Sequence, residues 1–99
     1  MSARSPFDLA SRTALVTGGN RGLGRAFAFG LAEAGATVAI SGRSAERNEK
    51  VAAEAASAGH TMHPITADIT SSADVARMTA EAIDALGHID ILVNNAGTC

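Results

Sequence analysis

The stretch Thr17-Gly18-Gly19-Asn20-Arg21-Gly22-Leu23-Gly24 constrains this chain more than any other, because it joins an apolar β-branched run to an amphipathic helical pattern. The run before it, Thr13-Ala14-Leu15-Val16-Thr17, has the continuous apolar character of a strand buried on both faces of a parallel sheet. After it, Leu23, Ala26, Phe27, Gly30, Leu31 and Ala34 share one helical face, and Arg25 and Glu33 lie off it. Gly18 permits a tight turn out of the strand. Gly22 and Gly24 lack the Cβ that would keep the backbone away from a ligand and the helix away from the strand. The first-turn N–H groups of such a helix have no intrahelical partner and point at an anion, for which a diphosphate is the natural occupant.

Two glycine-rich spacings must be told apart here. The residues read G-x-x-x-G-x-G, not the G-x-G-x-x-G of the general dinucleotide fingerprint, and that departure narrows the family. The rest of the chain repeats the strand–helix alternation. A helix over about Gly22–Ala34 ends at Gly35, well placed for a left-handed cap. Thr37–Ser41 reads as the second strand, and Ser44 caps a second helix that runs to about Ala58 and stops at Gly59. The third strand, His63–Ala67, carries Pro64, which lacks a ladder donor and belongs at a sheet edge. Ser71 with Asp74 resembles a capping box, and Val75, Thr79, Ala82, Ile83 and Leu86 form the inner face of a third helix ending at Gly87. Ile89–Asn94 is the fourth strand. The order β-α-β-α-β-α-β predicts an α/β fold, half of a doubly wound Rossmann sheet with parallel strand order 3-2-1-4.

Composition bounds what such a fold can do. The 99 residues are enough for one domain, read here as a single dinucleotide-binding half-domain over residues 1–99. Trp and Tyr are absent and Phe occurs three times, so the core is built from Ala, Val, Leu and Ile. Eight Lys and Arg against ten Asp and Glu give a net charge of −2, and the basic residues form no stripe suited to a nucleic-acid backbone. No apolar stretch approaches the ~20 residues of a membrane span. Arg4 and Asp8 interrupt the first ten residues where a signal core would lie. The expectation is a cytoplasmic protein with neither nucleic acid nor membrane as partner. Cys99 is the only cysteine, so no internal disulfide is expected, and a terminal thiol has no base to make it a nucleophile. His60, His63 and His88 lack ligand spacing, and no metal is expected.

Three further positions fall where a ligand cleft belongs. Arg43 follows the second strand, about 20 residues beyond the glycine loop, where a dinucleotide site tests the 2′ position of the adenine ribose. A carboxylate there would accept the ribose hydroxyls; Ser41, Gly42 and Arg43 stand there instead, and a guanidinium suits a 2′-phosphate, with Arg21 as a second charge. Asp68, in Ala67-Asp68-Ile69, is placed either to accept the adenine amino group, with Ile69 beside the ring, or to stabilise the turn before the next helix. Asn94-Asn95-Ala96-Gly97 closes the fourth strand with small residues and amides that permit close backbone approach.

Taken together, Thr17-Gly18-x-x-x-Gly22-x-Gly24, Asp68-Ile69 and Asn94-Asn95-Ala96-Gly97 resemble the amino-terminal half of a short-chain dehydrogenase/reductase, over roughly residues 7–97. Phe7-Asp8-Leu9 ahead of the first strand is similar to the gluconate 5-dehydrogenase-like branch. The resemblance implies an enzyme that moves a hydride between a nicotinamide dinucleotide and an alcohol or ketone. It assigns Gly18, Asn20, Arg21, Gly22, Leu23 and Gly24 to the pyrophosphate side, Asp68 and Ile69 to adenine, and Asn95, Ala96 and Gly97 to the inner ribose. Arg21 and Arg43 match positions where NADP-preferring members carry basic residues, which makes NADP the expected cofactor and NAD the alternative. Family members use a tyrosine and a lysine four residues later for the proton step. This chain has no tyrosine, and its one lysine, Lys50, falls in the second helix, so no catalytic residue is expected within it. The family's homo-oligomers are built by helices that have no counterpart here. The reading is the cofactor-binding portion of an oxidoreductase, a fragment truncated before the catalytic residues; the alternative is a non-catalytic nucleotide-binding module.

Overall fold

The computed structural model describes residues 8–95. Phe7, Ala96, Gly97 and Cys99 therefore lie outside the described residues. The order is β1 (Thr13–Thr17), α1 (Gly22–Glu33), β2 (Thr37–Gly42), α2 (Ala45–Ser57), β3 (Met62–Thr66), α3 (Ser72–Leu86) and β4 (Ile91–Asn94). The strands form one parallel sheet in the order β3-β2-β1-β4, as the alternation predicts. Thr17, at the end of β1, pairs with Ser41 on one side and Asn94 on the other, so three loops open at the same edge of the sheet.

Every residue of β1 is buried, because helices cover both faces of the sheet. Ala14 and Val16 join Val38, Ile40, Val51 and Ala55 in one core, whereas Leu15 joins Ala39, Ile65, Met78 and Ala82 in the other. Burying a side chain such as Leu15 or Ile40 stabilises the fold by about 1.5–3 kcal/mol. Pro64 sits on β3, the edge strand, opposite Ile40, where its missing N–H breaks no ladder. The helix ends follow the glycines. Gly35, Gly59 and Gly87 all have positive φ, and at α1 the N–H of Ala36 reaches the Leu31 carbonyl while that of Gly35 reaches Ala32, the paired bonds of a Schellman end.

Three local expectations need correction. The buried stripe of α1 is Gly24, Ala28 and Ala32, with Phe29 and Leu31 packing at its flank; Leu23 is 63% exposed and Phe27 43% exposed. The helix lies so close to the sheet that only small side chains fit beneath it. In α3 the inward residues are Met78 and Ala82, flanked by Val75 and Leu86, whereas Ile83 is 46% exposed. Ser71 caps α3 by accepting from Asp74 N–H at 3.2 Å, but the Asp74 carboxylate reaches past Ser71 to the N–H of Asp68 at 2.8 Å, so the reciprocal half of a capping box is absent.

A polar latch fastens β4 to the start of β1. Asp90 accepts from the Thr13 N–H at 2.9 Å and lies 3.0 Å from His88 Nε2, while the Asp90 N–H donates back to Thr13. The Thr13 N–H bond holds the Asp90 carboxyl below its ordinary range, against an opposing effect of desolvation and with help from His88. A carboxyl with a lowered folded pKa stabilises the native state fully above its unfolded value and loses that contribution as pH falls through the folded one. Replacing Asp90 with Ala should lower the urea midpoint at pH 7, and the gap to the parent should close as pH falls below about 4. A gap unchanged between pH 7 and that range would contradict the latch.

Candidate nucleotide-binding site

The glycine loop takes its shape from two left-handed residues, Gly18 at φ 68° and Gly22 at φ 57°. Between them the loop is tied to β2, since the N–H groups of Gly18 and Gly19 both donate to the Ser41 carbonyl, at 2.8 and 3.2 Å. A β carbon on Gly22 would meet nothing within 4 Å and would stand in open space. One on Gly24 would collide with the Gly18 carbonyl and lie 2.7 Å from Asn95 Nδ2. The two glycines thus serve different ends: Gly22 turns the chain at the cleft, and Gly24 lets α1 close onto the turn behind it. Arg21, the N-cap of α1, makes no side-chain capping bond, so its own side chain leaves the first-turn N–H groups uncapped.

At the neighbouring strand ends, Ser44 caps α2 by accepting from the Arg47 N–H at 3.1 Å. Asp68 closes an Asx turn, with one carboxylate oxygen accepting from the N–H and the hydroxyl of Thr70 at 2.9 and 2.7 Å. Those two bonds lower its pKa, desolvation opposes them, and Arg43 adds a smaller lowering effect. Asp68 is therefore an ionised, acceptor-only group at neutral pH. Asn95 is fixed from β1, its N–H donating to Thr17 Oγ1 at 3.1 Å.

These loops enclose a cleft of about 670 Å³, within the ordinary range for small-molecule sites. Gly18, Asn20, Arg21, Gly22 and Leu23 form one wall, Ser41, Gly42, Arg43, Ser44 and Arg47 the next, and Ala67, Asp68, Ile69, Thr70 and Asn95 the rest. Of the positions expected from sequence, Gly24 alone among the described residues is not on the lining, since it sits buried behind the turn. Ala96 and Gly97 lie outside the described residues. Arg47 escaped the sequence reading; the signal was its place in the first turn of α2, four residues after Arg43. Asn20 lines the cleft, but its amide nitrogen is bonded to Asn48 Oδ1, so the side chain serves the scaffold.

Charge is partitioned around the cleft. Arg12, Arg25 and Arg77, away from it, each lie against a carboxylate: Asp90 at 3.9 Å, Glu54 at 3.2 Å and Glu81 at 2.7 Å. Arg21, Arg43 and Arg47, which line it, have no ion pair among the described residues. The Ser41 hydroxyl, on a residue only 1% exposed, has no hydrogen-bond partner among the described residues. A buried polar group in that condition is costly unless a ligand satisfies it.

Residues 12–99 match the short chain dehydrogenase family. The chain belongs to that family. A hydroxynaphthalene reductase-like protein of Metarhizium guizhouense is 43% identical over 98 residues, which are 98% of this chain and 37% of that protein. The fold superposes on a hydroxysteroid dehydrogenase from Escherichia coli with a TM-score of 0.89 and 36% identity, over 93% of this chain and 39% of the other. It also superposes on a protein described as a gluconate dehydrogenase from Agrobacterium tumefaciens, with a TM-score of 0.85 and 46% identity, over 93% and 36%. The chain thus spans a little over a third of the length of these short-chain dehydrogenase relatives. The family binds a nicotinamide dinucleotide, and the order and direction of the strands here are those of its Rossmann sheet.

Two of the three α1 glycines offer a direct check on this geometry. Gly24→Ala should lower stability by about 1–3 kcal/mol, because the clash is with backbone that cannot move aside. Gly30→Ala, with nothing within 4 Å, should leave stability unchanged or raise it. Equal urea midpoints for the two variants would contradict the close approach at Gly24.

Proposed function

We propose that this chain forms the nucleotide-binding portion of an oxidoreductase that exchanges a hydride between NADP and an alcohol or ketone. The observation that supports NADP over NAD is the partition of arginines: among the described residues, the three that line the cleft are those with no carboxylate at ion-pair distance. The cleft residues fit such a ligand on independent grounds. The Ser41 hydroxyl is buried and has no partner among the described residues, and the space above Gly22 is open where a diphosphate must approach the backbone.

In this reading the N–H groups at the start of α1 bind the diphosphate, aided by the positive end of the helix dipole. Gly18, Gly22 and Leu23 line that end, and Arg21 supplies charge from the loop. Arg43 and Arg47 face the 2′-phosphate, Asp68 accepts from the adenine amino group, Ile69 covers the ring, and Asn95 with Ala96 and Gly97 borders the inner ribose. The dinucleotide, when bound, supplies the hydride donor or acceptor. We assign no catalytic residue to this chain, which contains no tyrosine and carries Lys50 on an exposed position of α2. The relatives carry the names of a hydroxynaphthalene reductase-like protein, a hydroxysteroid dehydrogenase and a gluconate dehydrogenase, which share only an alcohol or ketone as the substrate class.

The test is calorimetry of the chain with NADP and with NAD. A charge-assisted contact contributes about 1.5–3 kcal/mol, so NADP should bind at least tenfold more tightly, with a preference that shrinks as salt is added. Arg43→Ala and Arg47→Ala should each erode that preference while leaving NAD binding nearly unchanged. Equal affinity for the two dinucleotides would overturn the NADP assignment.

A further inference from the structure

Asn48 is the one large polar side chain that is completely buried among the described residues, at 0% exposure. It lies in α2 beside the buried Val51 and Ala55, a place where an apolar side chain would complete the core. Its amide is instead fully used. The Nδ2 group donates to the carbonyls of Gly42 at 3.0 Å and Ile65 at 3.2 Å, and Oδ1 accepts from Asn20 Nδ2 at 2.9 Å. One side chain therefore joins α2, the end of β2, the end of β3 and the middle of the glycine loop. Gly42 is shaped to the same arrangement, since a β carbon there would collide with the Asn20 amide and lie 2.9 Å from Asn48 Oδ1.

The loop needs such support. Asn20 stands between two glycines in left-handed conformations, and the N-cap residue of α1 makes no side-chain capping bond, so neither conformational preference nor a cap fixes the loop segment around Asn20. The bonds from Gly18 and Gly19 to Ser41 anchor only the entry to the loop.

We propose that the Asn20–Asn48 pair is a strut that positions the glycine loop relative to the β2–α2 turn, so that the diphosphate and 2′-phosphate ends of one nucleotide are held at a fixed separation. Asn48 touches no ligand in this arrangement; it is a positioning residue acting through Asn20. The proposal rests on the cleft being a dinucleotide site. It differs from a purely structural role in one respect: loss of the strut weakens a ligand that spans both ends of the cleft far more than a ligand confined to one end.

The experiment compares the parent chain with Asn20→Ala, Asn48→Ala and the double variant, using 2′-phospho-ADP-ribose as the spanning ligand and adenosine 2′-monophosphate as the confined one. Asn20→Ala should weaken the spanning ligand by about tenfold and the confined one by less than about twofold, and Asn48→Ala should add little in the Asn20→Ala background, the signature of coupled sites. Asn20→Ala leaves both bonds from Asn48 to carbonyls in place, so it keeps the test open should Asn48→Ala fail to fold. Amide hydrogen exchange of the ligand-free chain supplies the independent readout: exchange at Asn20–Leu23 should quicken in Asn20→Ala while α3 is unaffected. Equal weakening of the two ligands, or unchanged loop exchange, overturns the strut. Loop exchange that quickens in a chain that binds neither ligand leaves the strut standing and removes the dinucleotide reading instead.

Discussion

The closeness of α1 to the turn after β1 is the constraint from which most of the structure follows. A β carbon at Gly24 would strike the Gly18 carbonyl, so the helix can approach only with a bare Cα at that point and small residues at the next two turns, Ala28 and Ala32. That approach does three things together. It buries β1 on its α1 face, it sets the start of α1 at the carboxyl end of the sheet, and it forces the intervening loop through left-handed glycines. Ligands of open parallel sheets bind outside the carboxyl ends of the strands, where neighbouring loops diverge. Here β1 is flanked by β2 and β4, whose crossovers run in opposite directions, and the cleft lies at that end.

The two ends of the sheet divide the work. At the start of β1, Thr13, His88 and Asp90 saturate one another, and Arg12 adds a distant charge, which makes a closed structural latch. At the other end the polar groups are left open among the described residues: three arginines with no carboxylate at ion-pair distance, a buried serine hydroxyl without a hydrogen-bond partner, and an aspartate with its turn bonds made on a single oxygen. A chain with net charge −2 that nevertheless gathers around one cleft three guanidinium groups with no ion pair among the described residues is electrostatically suited to a polyanion of limited size.

Element order and sheet topology were legible because their signals are local. Glycines at 35, 59 and 87 mark helix ends through the backbone conformation they permit, and Pro64 marks an edge strand through the donor it lacks. The faces of the helices were less legible. Apolar residues occur all round α1, so periodicity favoured the stripe with Leu23 and Phe27, whereas the decisive factor was a steric limit that admits only Gly and Ala. Asn48 illustrates the same difficulty for the site. An asparagine in a helical pattern reads as solvent-facing, and only the convergence of Asn20, Gly42 and Ile65 in space makes its burial favourable. Asp68 follows the turn reading, holding the turn through Thr70, and it also lines the cleft.

The claim that this edge of the sheet is a nucleotide site is tested most directly by titrating the isotopically labelled chain with 2′-phospho-ADP-ribose and following its backbone amide resonances. The account predicts saturable shifts confined to the glycine loop, the β2–α2 turn around Arg43 and Arg47, and the turn at Asp68–Thr70, with His88 and Asp90 at the far end of the sheet unmoved. Shifts centred on the latch end, or a spectrum unaltered at millimolar ligand, would contradict it.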